Sequence, residues 1–269
     1  MAIGTVTLLS PPFISSLCAP EKIRKSAVRL TGGYPVNFLQ SSSIVDSLRF
    51  SKSTLLSRRS AMFKIFTSSS SSSSASGVSD DIGHELGEIE IFTANGESVK
   101  FKELWDQEEG VAVVALMRHF GCICCWELAS TLKEAKPRFD AAGVNLIAVG
   151  VGPPNKAQIL AERLPFPMDC LYADPDRKAY NLLNLYHGFG RTFLNPASAK
   201  VFSRKESFKK ASENYTIKAS PNNLSSILQQ GGMFVFKGKQ LLYARMDEGT
   251  GDHAPLDDVF EACCKIPVT

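Results

Sequence analysis

Two stretches of the chain are apolar almost without interruption: Val111-Ala-Val-Val-Ala-Leu-Met117 and Val144-Asn-Leu-Ile-Ala-Val-Gly-Val151. Runs of this length, rich in Val, predict strands buried on both faces of a sheet. Between them, Glu127 to Phe139 reads as a helix with Leu128 and Leu132 turned inward. Ahead of them, Glu88-Ile-Glu-Ile-Phe92 alternates polar and apolar residues, and Asn95-Gly96 is a hairpin turn signal. Glu97 to Phe101 is the return strand, followed by a short helix through Leu104 and Trp105. Lys156 to Leu164 predicts a helix that Pro165 stops. Met168 to Tyr172 predicts a short strand. Asp174-Pro175 then opens a helix through Leu183, with Asp as N-cap and Pro at the first helical position. Gly232 to Phe236 and Gln240 to Arg245 flank Lys237-Gly-Lys239 as a second hairpin, and Asp257 to Cys264 is a last helix.

One segment breaks this rhythm. Tyr186 to Lys218 is rich in Phe and carries Arg191, Lys200, Arg204, Lys205, Lys209, Lys210 and Lys218. It reads as an insertion holding one or two helices. Buried strands alternating with helices indicate an α/β fold: a central mixed sheet flanked by helices, with an N-terminal β-hairpin and a helical insertion.

The charge is unevenly spread. The whole chain has a formal net charge of +3. Residues 1–76 hold nine Lys/Arg against Glu21 and Asp46, so the remainder is mildly acidic and lacks a nucleic-acid footprint. The longest apolar run, Val111 to Met117, falls far short of the ~18 residues of a membrane span. Residues 1–76 also hold twenty Ser, with an unbroken run from Ser68 to Ser74. A Ser-rich, Arg-bearing, acid-poor leader has the composition of an organellar transit peptide, and the excess of Ser over Arg favours the chloroplast, with the stroma as compartment. A disordered regulatory tail is the alternative of similar composition. The domain is expected over 77–269, with the leader dispensable for folding and Cys18 outside the chemistry.

Cys122, Cys124 and Cys125 lie just after the stronger buried strand, at the mouth of a helix. Cys122-Ile-Cys-Cys125 satisfies C-x-x-C, which in a βαβ context reads as a redox motif. A helix N-terminus favours thiolate over thiol, and Arg118 and His119 upstream can add positive potential. Such a thiolate attacks a peroxide oxygen or a disulfide sulfur, and the second thiol closes a disulfide. A structural zinc site needs a second ligand pair, and Cys263-Cys264 is adjacent in sequence. The usual iron–sulfur spacings are absent. A buried inert set is the remaining alternative, and the favoured one for Cys170, Cys263 and Cys264. No metal and no cofactor is expected. Cys124 is expected to point away from its neighbours, since adjacent helical residues do not share a face.

Arg118-His-Phe-Gly-Cys-Ile-Cys-Cys125, Gly231-Gly-Met-Phe-Val-Phe236 and Gly251-Asp-His-Ala254 together resemble the peroxiredoxin-like 2 family, thioredoxin-like proteins with an AhpC/TSA antioxidant-enzyme domain. The resemblance covers about residues 80 to 266. It implies a thioredoxin-like fold and thiol-dependent antioxidant activity. Peroxides or related small oxidants are the implied substrates, and a thioredoxin- or glutathione-type protein or thiol the electron donor. By likeness to peroxiredoxins, Cys125 holds the attacking position and Cys122 replaces a Thr. By likeness to thioredoxin, the earlier and more exposed Cys122 attacks. Both are site residues, with Arg118 to stabilise the thiolate and the charge on a leaving oxygen. Gly231-Gly232 stands where a thioredoxin fold usually has a cis-Pro, and the Pro-x-x-x-Thr-x-x-Cys signature is missing. One related branch reduces prostaglandin-type endoperoxides.

Of the remaining candidates, His119 reads as a base or as a surface His, Arg245 as a surface charge, and Asp252 as a helix cap. The competing function is a redox-inactive or redox-sensing binding module whose partner surface is the basic 186–218 segment.

Overall fold

The computed structural model describes residues 81–264; the leader assigned as a transit peptide, 1–76, lies outside them. The chain opens with a short helix, α1 (Ile82–Gly87), and the expected hairpin, β1 (Glu90–Thr93) and β2 (Ser98–Lys100). Ile91 pairs with Val99 around a turn in which Gly96 has φ +92°. Then follow β3 (Val111–His119), α2 (Ile123–Ala141), β4 (Val144–Val151), α3 (Pro154–Arg163), β5 (Leu171–Ala173) and α4 (Lys178–Leu182). After the insertion, which contains α5 (Lys205–Asn214), come α6 (Leu224–Ile227), the hairpin β6 (Gly232–Lys237) and β7 (Gln240–Met246), and α7 (Leu256–Cys264).

The seven strands form one mixed sheet in the order β2-β1-β5-β4-β3-β6-β7. β3 lies between β4, which is parallel to it, and β6, which is antiparallel; Val113 stands opposite Leu146 and Val235. Its alternating side chains divide between two cores. Val111, Val113, Ala115 and Met117 join Trp126, Leu132 and Phe139 of α2, Leu160 of α3 and Phe260 of α7. Ala112, Val114 and Leu116 join Leu86 of α1, Tyr180 of α4, Phe101, Trp105, Phe234 and Phe236. Both faces of the strand are therefore desolvated, which is why it is apolar throughout. A βαβ unit followed by a hairpin and helix is the expected thioredoxin-like α/β fold, with helices on the central sheet.

Several boundaries differ from the pattern. β3 continues through Arg118 and His119, which the pattern assigns to a loop. α2 begins at Ile123, ahead of the expected Glu127, so Cys124 and Cys125 lie in its first turn. Met168–Cys170 is a 3-10 turn ahead of the strand. Asp174 accepts from the amides of Lys178 and Ala179 but is not the N-cap, and Pro175 is not the first helical residue: Arg177, with a left-handed φ of +59°, is the N-cap and the helix starts at Lys178. The insertion holds a π-helical turn (Gly190–Leu194), two 3-10 segments (Pro196–Ser203 and Ile217–Ala219) and α5, more than the one or two helices expected. Such short turns lack the sustained 3.6-residue period that makes a helix legible.

Candidate functional site

The junction of β3 and α2 is where the chain converges on chemistry. The pairing of β3 with β4 shifts between Met117 and His119, a local irregularity in a parallel ladder. Such a bulge re-aims the side chains beside it. Arg118 here points inward and is 3% exposed. Its Nε donates to the Gln229 carbonyl at 2.9 Å and its Nη2 to the Ile227 carbonyl at 2.7 Å. These two bonds fix the guanidinium plane and leave Nη1 aimed at the sulfur of Cys122, 3.3 Å away.

Cys122 is the N-cap of α2, with extended φ and ψ (−87°, 119°). Its carbonyl takes the amides of Cys125 and Trp126. Its side chain makes no capping bond, so the sulfur remains available to Arg118. The thiol is held well below its ordinary pKa by hydrogen bonds from the thiols of Cys124 and Cys125, helped by the charge of Arg118 and opposed by burial. Cys124 is pushed up, by its bond to Cys122 and then by burial. Cys125 is pushed up by burial first and by the same bond second. Within the triple, proton affinity is lowest at Cys122.

One expectation fails here. Cys124 does not point away: its thiol lies against Cys122. Adjacent side chains diverge inside a helix, but Cys122 precedes the helix in extended conformation, so that rule does not govern the pair. Cys122 is the most exposed of the three, as expected, but the margin is small and all are buried: they are 6%, 4% and 0% exposed. The loop is packed against the insertion. Tyr215 donates its hydroxyl to the Gly121 carbonyl at 2.8 Å and packs edge-on against Trp126, with ring centroids 5.6 Å apart. A side chain at Gly121 would collide with Ser220, so glycine is required there. Arg204 bonds Glu127 of α2 through Nη2 at 3.1 Å and the Gly251 carbonyl at 2.8 Å. Glu127 is buried, and a charge there is tolerated only because it is paired.

The remaining candidates fall into place around this core. His119 is buried, not a surface residue; burial first, and then the Arg118 charge, hold its pKa down to about 4. Arg245 is not a free surface charge. It donates to the Asp252 carboxylate at 3.0 Å and to its carbonyl at 2.7 Å. Asp252 also accepts from the Glu248 amide, four residues ahead of α7, in place of the expected capping position. A Cβ at Gly231 would clash with the Leu116 carbonyl, which explains glycine beside β3. Burial raises Cys170 to about 12 and Cys263 to about 11, as suits inert thiols. Sequence reasoning missed the cover supplied by Tyr215 and Ser220 and the Glu127–Arg204 pair. No local pattern announces contacts between segments so far apart. Among the described residues no group of three or more His, Cys, Asp and Glu could hold a metal, and no helix is long and apolar enough to cross a membrane.

Residues 131–249 match the family described as AhpC/TSA antioxidant enzyme, a stretch that begins after Cys125. The chain is 31% identical over 210 residues to the chloroplastic thioredoxin-like protein AAED1 of Arabidopsis thaliana, covering 77% of this chain and 82% of that one. It is 33% identical over 175 residues to the prostamide/prostaglandin F synthase of Sus scrofa (63% and 80%). It is 28% identical over 188 residues to peroxiredoxin-like 2A of Bos taurus (67% and 78%).

Proposed function

The chain belongs to the peroxiredoxin-like AhpC/TSA family, and from that premise we propose that it is a thiol-dependent oxidoreductase that cycles between dithiol and disulfide at Cys122 and Cys125. One observation carries the reading: the most acidic thiol of the triple stands at a helix N-terminus, 3.3 Å from a guanidinium whose other donors are fixed. Cys122 is the attacker. Its thiolate takes the distal oxygen of a peroxide, the O–O bond breaks, and the alcohol or water leaves with a proton. Arg118 stabilises the thiolate and the charge developing on the leaving oxygen. The Cys125 thiol then attacks the sulfenic sulfur. The S–O bond breaks, water leaves, and a Cys122–Cys125 disulfide forms. A dithiol donor of thioredoxin or glutathione type returns two electrons and two protons.

The substrate is a peroxide or a related small oxidant. An endoperoxide is a chemically equivalent target, since its O–O bond breaks in the same way, and one relative is named for prostaglandin F synthesis. Residues 1–76 act as a transit peptide to the plastid stroma, a reading supported by their composition and by the chloroplastic relative. A reporter fused behind residues 1–76 should accumulate in plastids; a reporter that stays in the cytosol refutes it.

The test of the chemistry is an anaerobic thiol count before and after one equivalent of peroxide, with peptide mapping. The expected result is loss of two thiols and a link between Cys122 and Cys125. An unchanged count overturns the reading. It would favour a binding module that presents the exposed Phe189, Phe193 and Leu194 of the insertion to a partner.

A further inference from the structure

A second buried ionic cluster reaches the first turn of α2 at the Cys124 carbonyl. His253 precedes α7 and Asp247 follows β7; their side chains are 7% and 3% exposed. Nδ1 of His253 is 3.0 Å from Oδ2 of Asp247, and Nε2 is 3.1 Å from the carbonyl oxygen of Cys124. A carbonyl oxygen can only accept, so Nε2 carries a proton. The contact between Nδ1 and the carboxylate needs a proton as well. The pair therefore holds one proton more than a neutral imidazole beside an ionised aspartate. The guanidinium of Arg245, 4.0 Å from Oδ1 of Asp247, favours the carboxylate as the anion and the ring as the cation. The pair has no net charge, but its positive end faces α2.

We propose that His253, kept cationic by Asp247, is a positioning residue for the redox site: it ties the Cys124 carbonyl to the loop before α7 and sets a positive charge beside the thiol cluster. The proposal rests on the dithiol reading above and deepens it. Gly251 permits the approach: its φ is +76°, and a Cβ there would stand 3.1 Å from the Cys124 sulfur. The charged groups around the imidazole are Asp247 and Arg245 from the end of β7, Asp252 paired with Arg245, Arg204 from the insertion, and Cys122 at the start of α2. Arg204 opposes the ring's charge, while Asp247 and a Cys122 thiolate favour it; burial opposes it throughout. The Gly251-Asp-His-Ala254 motif thus acquires a physical role, with its His directed at the first turn of α2.

The test is the rate of iodoacetamide alkylation against pH in the full reduced chain. Asp247→Asn keeps a partner for Nδ1 and lets a neutral ring still donate to Cys124, but removes the cation. The alkylation midpoint should then move to higher pH, and the rate at neutral pH should fall by about three- to tenfold. His253→Gln keeps a donor without charge and should shift the midpoint the same way. If Asp247→Asn does not fold, His253→Gln decides alone. A midpoint that stays at the parent value in the folded variant overturns the proposal. The readout is the thiol's titration and not turnover, so the role of His253 is decided even in a protein that never reduces peroxide.

Discussion

The β3–α2 junction and the insertion meet at Gly121, and they are built on different principles. The junction draws its chemistry from eight consecutive residues, Arg118 to Cys125, set by one long strand and one long helix. The insertion carries short turns, and it reaches the junction through Tyr215, 94 residues from its partner Gly121. The first region sets how acidic the thiol is; the second sets how easily anything reaches it. Acidity and access can therefore be changed one at a time, and the following substitutions are chosen to do so.

The largest effect belongs to the junction. Cys122→Ser should abolish donor-linked peroxide turnover in a coupled assay, a loss that no substitution confined to the insertion should match. Cys124→Ser should stay within about twofold of the parent, because a hydroxyl can still donate to the Cys122 sulfur. Equal loss in the two variants would mean that Cys124, not Cys125, resolves the sulfenic acid. Arg118→Ala comes next. It removes the guanidinium donor on the Cys122 sulfur. Turnover should slow by roughly tenfold to a thousandfold if that group stabilises the developing charge. An alkylation midpoint that fails to rise would place Arg118 in packing alone.

The same contrast governs what could be read from the chain. Val144–Val151 matches its apolar run residue for residue, and Val111–Met117 lies wholly inside β3. Burial on both faces writes itself into composition. The turn at Asn95-Gly96 was legible because a tight hairpin needs φ above zero. Cys122-x-x-Cys125 was legible because its chemistry is local. The cover over it was not. Tyr215 and Ser220 contact Gly121 from a distant segment, and His253 contacts Cys124 from a loop 129 residues away. Neither contact leaves a periodic trace. His119 was misplaced for a related reason: a ladder irregularity extends β3 past the last apolar residue and takes a polar side chain inside.

That burial has a measurable cost in acid. The pKa of His119 falls from 6.5 to about 4 because the buried ring resists charging. Below pH 6.5 the unfolded chain binds a proton that the folded one refuses. Stability is thus complete above 6.5 and is lost as pH falls toward 4, by about 3 kcal/mol for this group. The denaturation midpoint should drop across that window, and His119→Gln should flatten the drop. An equally steep profile in the variant would assign the acid sensitivity to other groups. Tyr215→Phe in the insertion removes no group that titrates in that window and should leave the acid profile alone.

The smallest effect tests access by itself. Tyr215→Phe removes the 2.8 Å hydrogen bond to the Gly121 carbonyl and leaves the ring edge-on against Trp126. One such bond contributes about 1 kcal/mol to the closed state. If the thiols are reached by local opening of this contact, weakening it by that amount should speed iodoacetamide alkylation by about fivefold. The pH midpoint should not move, because the Tyr215 phenol lies above its ordinary pKa through burial and stays neutral across the thiol's range. Rate without midpoint is the signature of access; midpoint is the signature of Arg118 and His253. A Tyr215→Phe protein that loses stability yet alkylates at the parent rate would show that reagents reach Cys122 by another path, and the insertion would no longer count as the cover of the site.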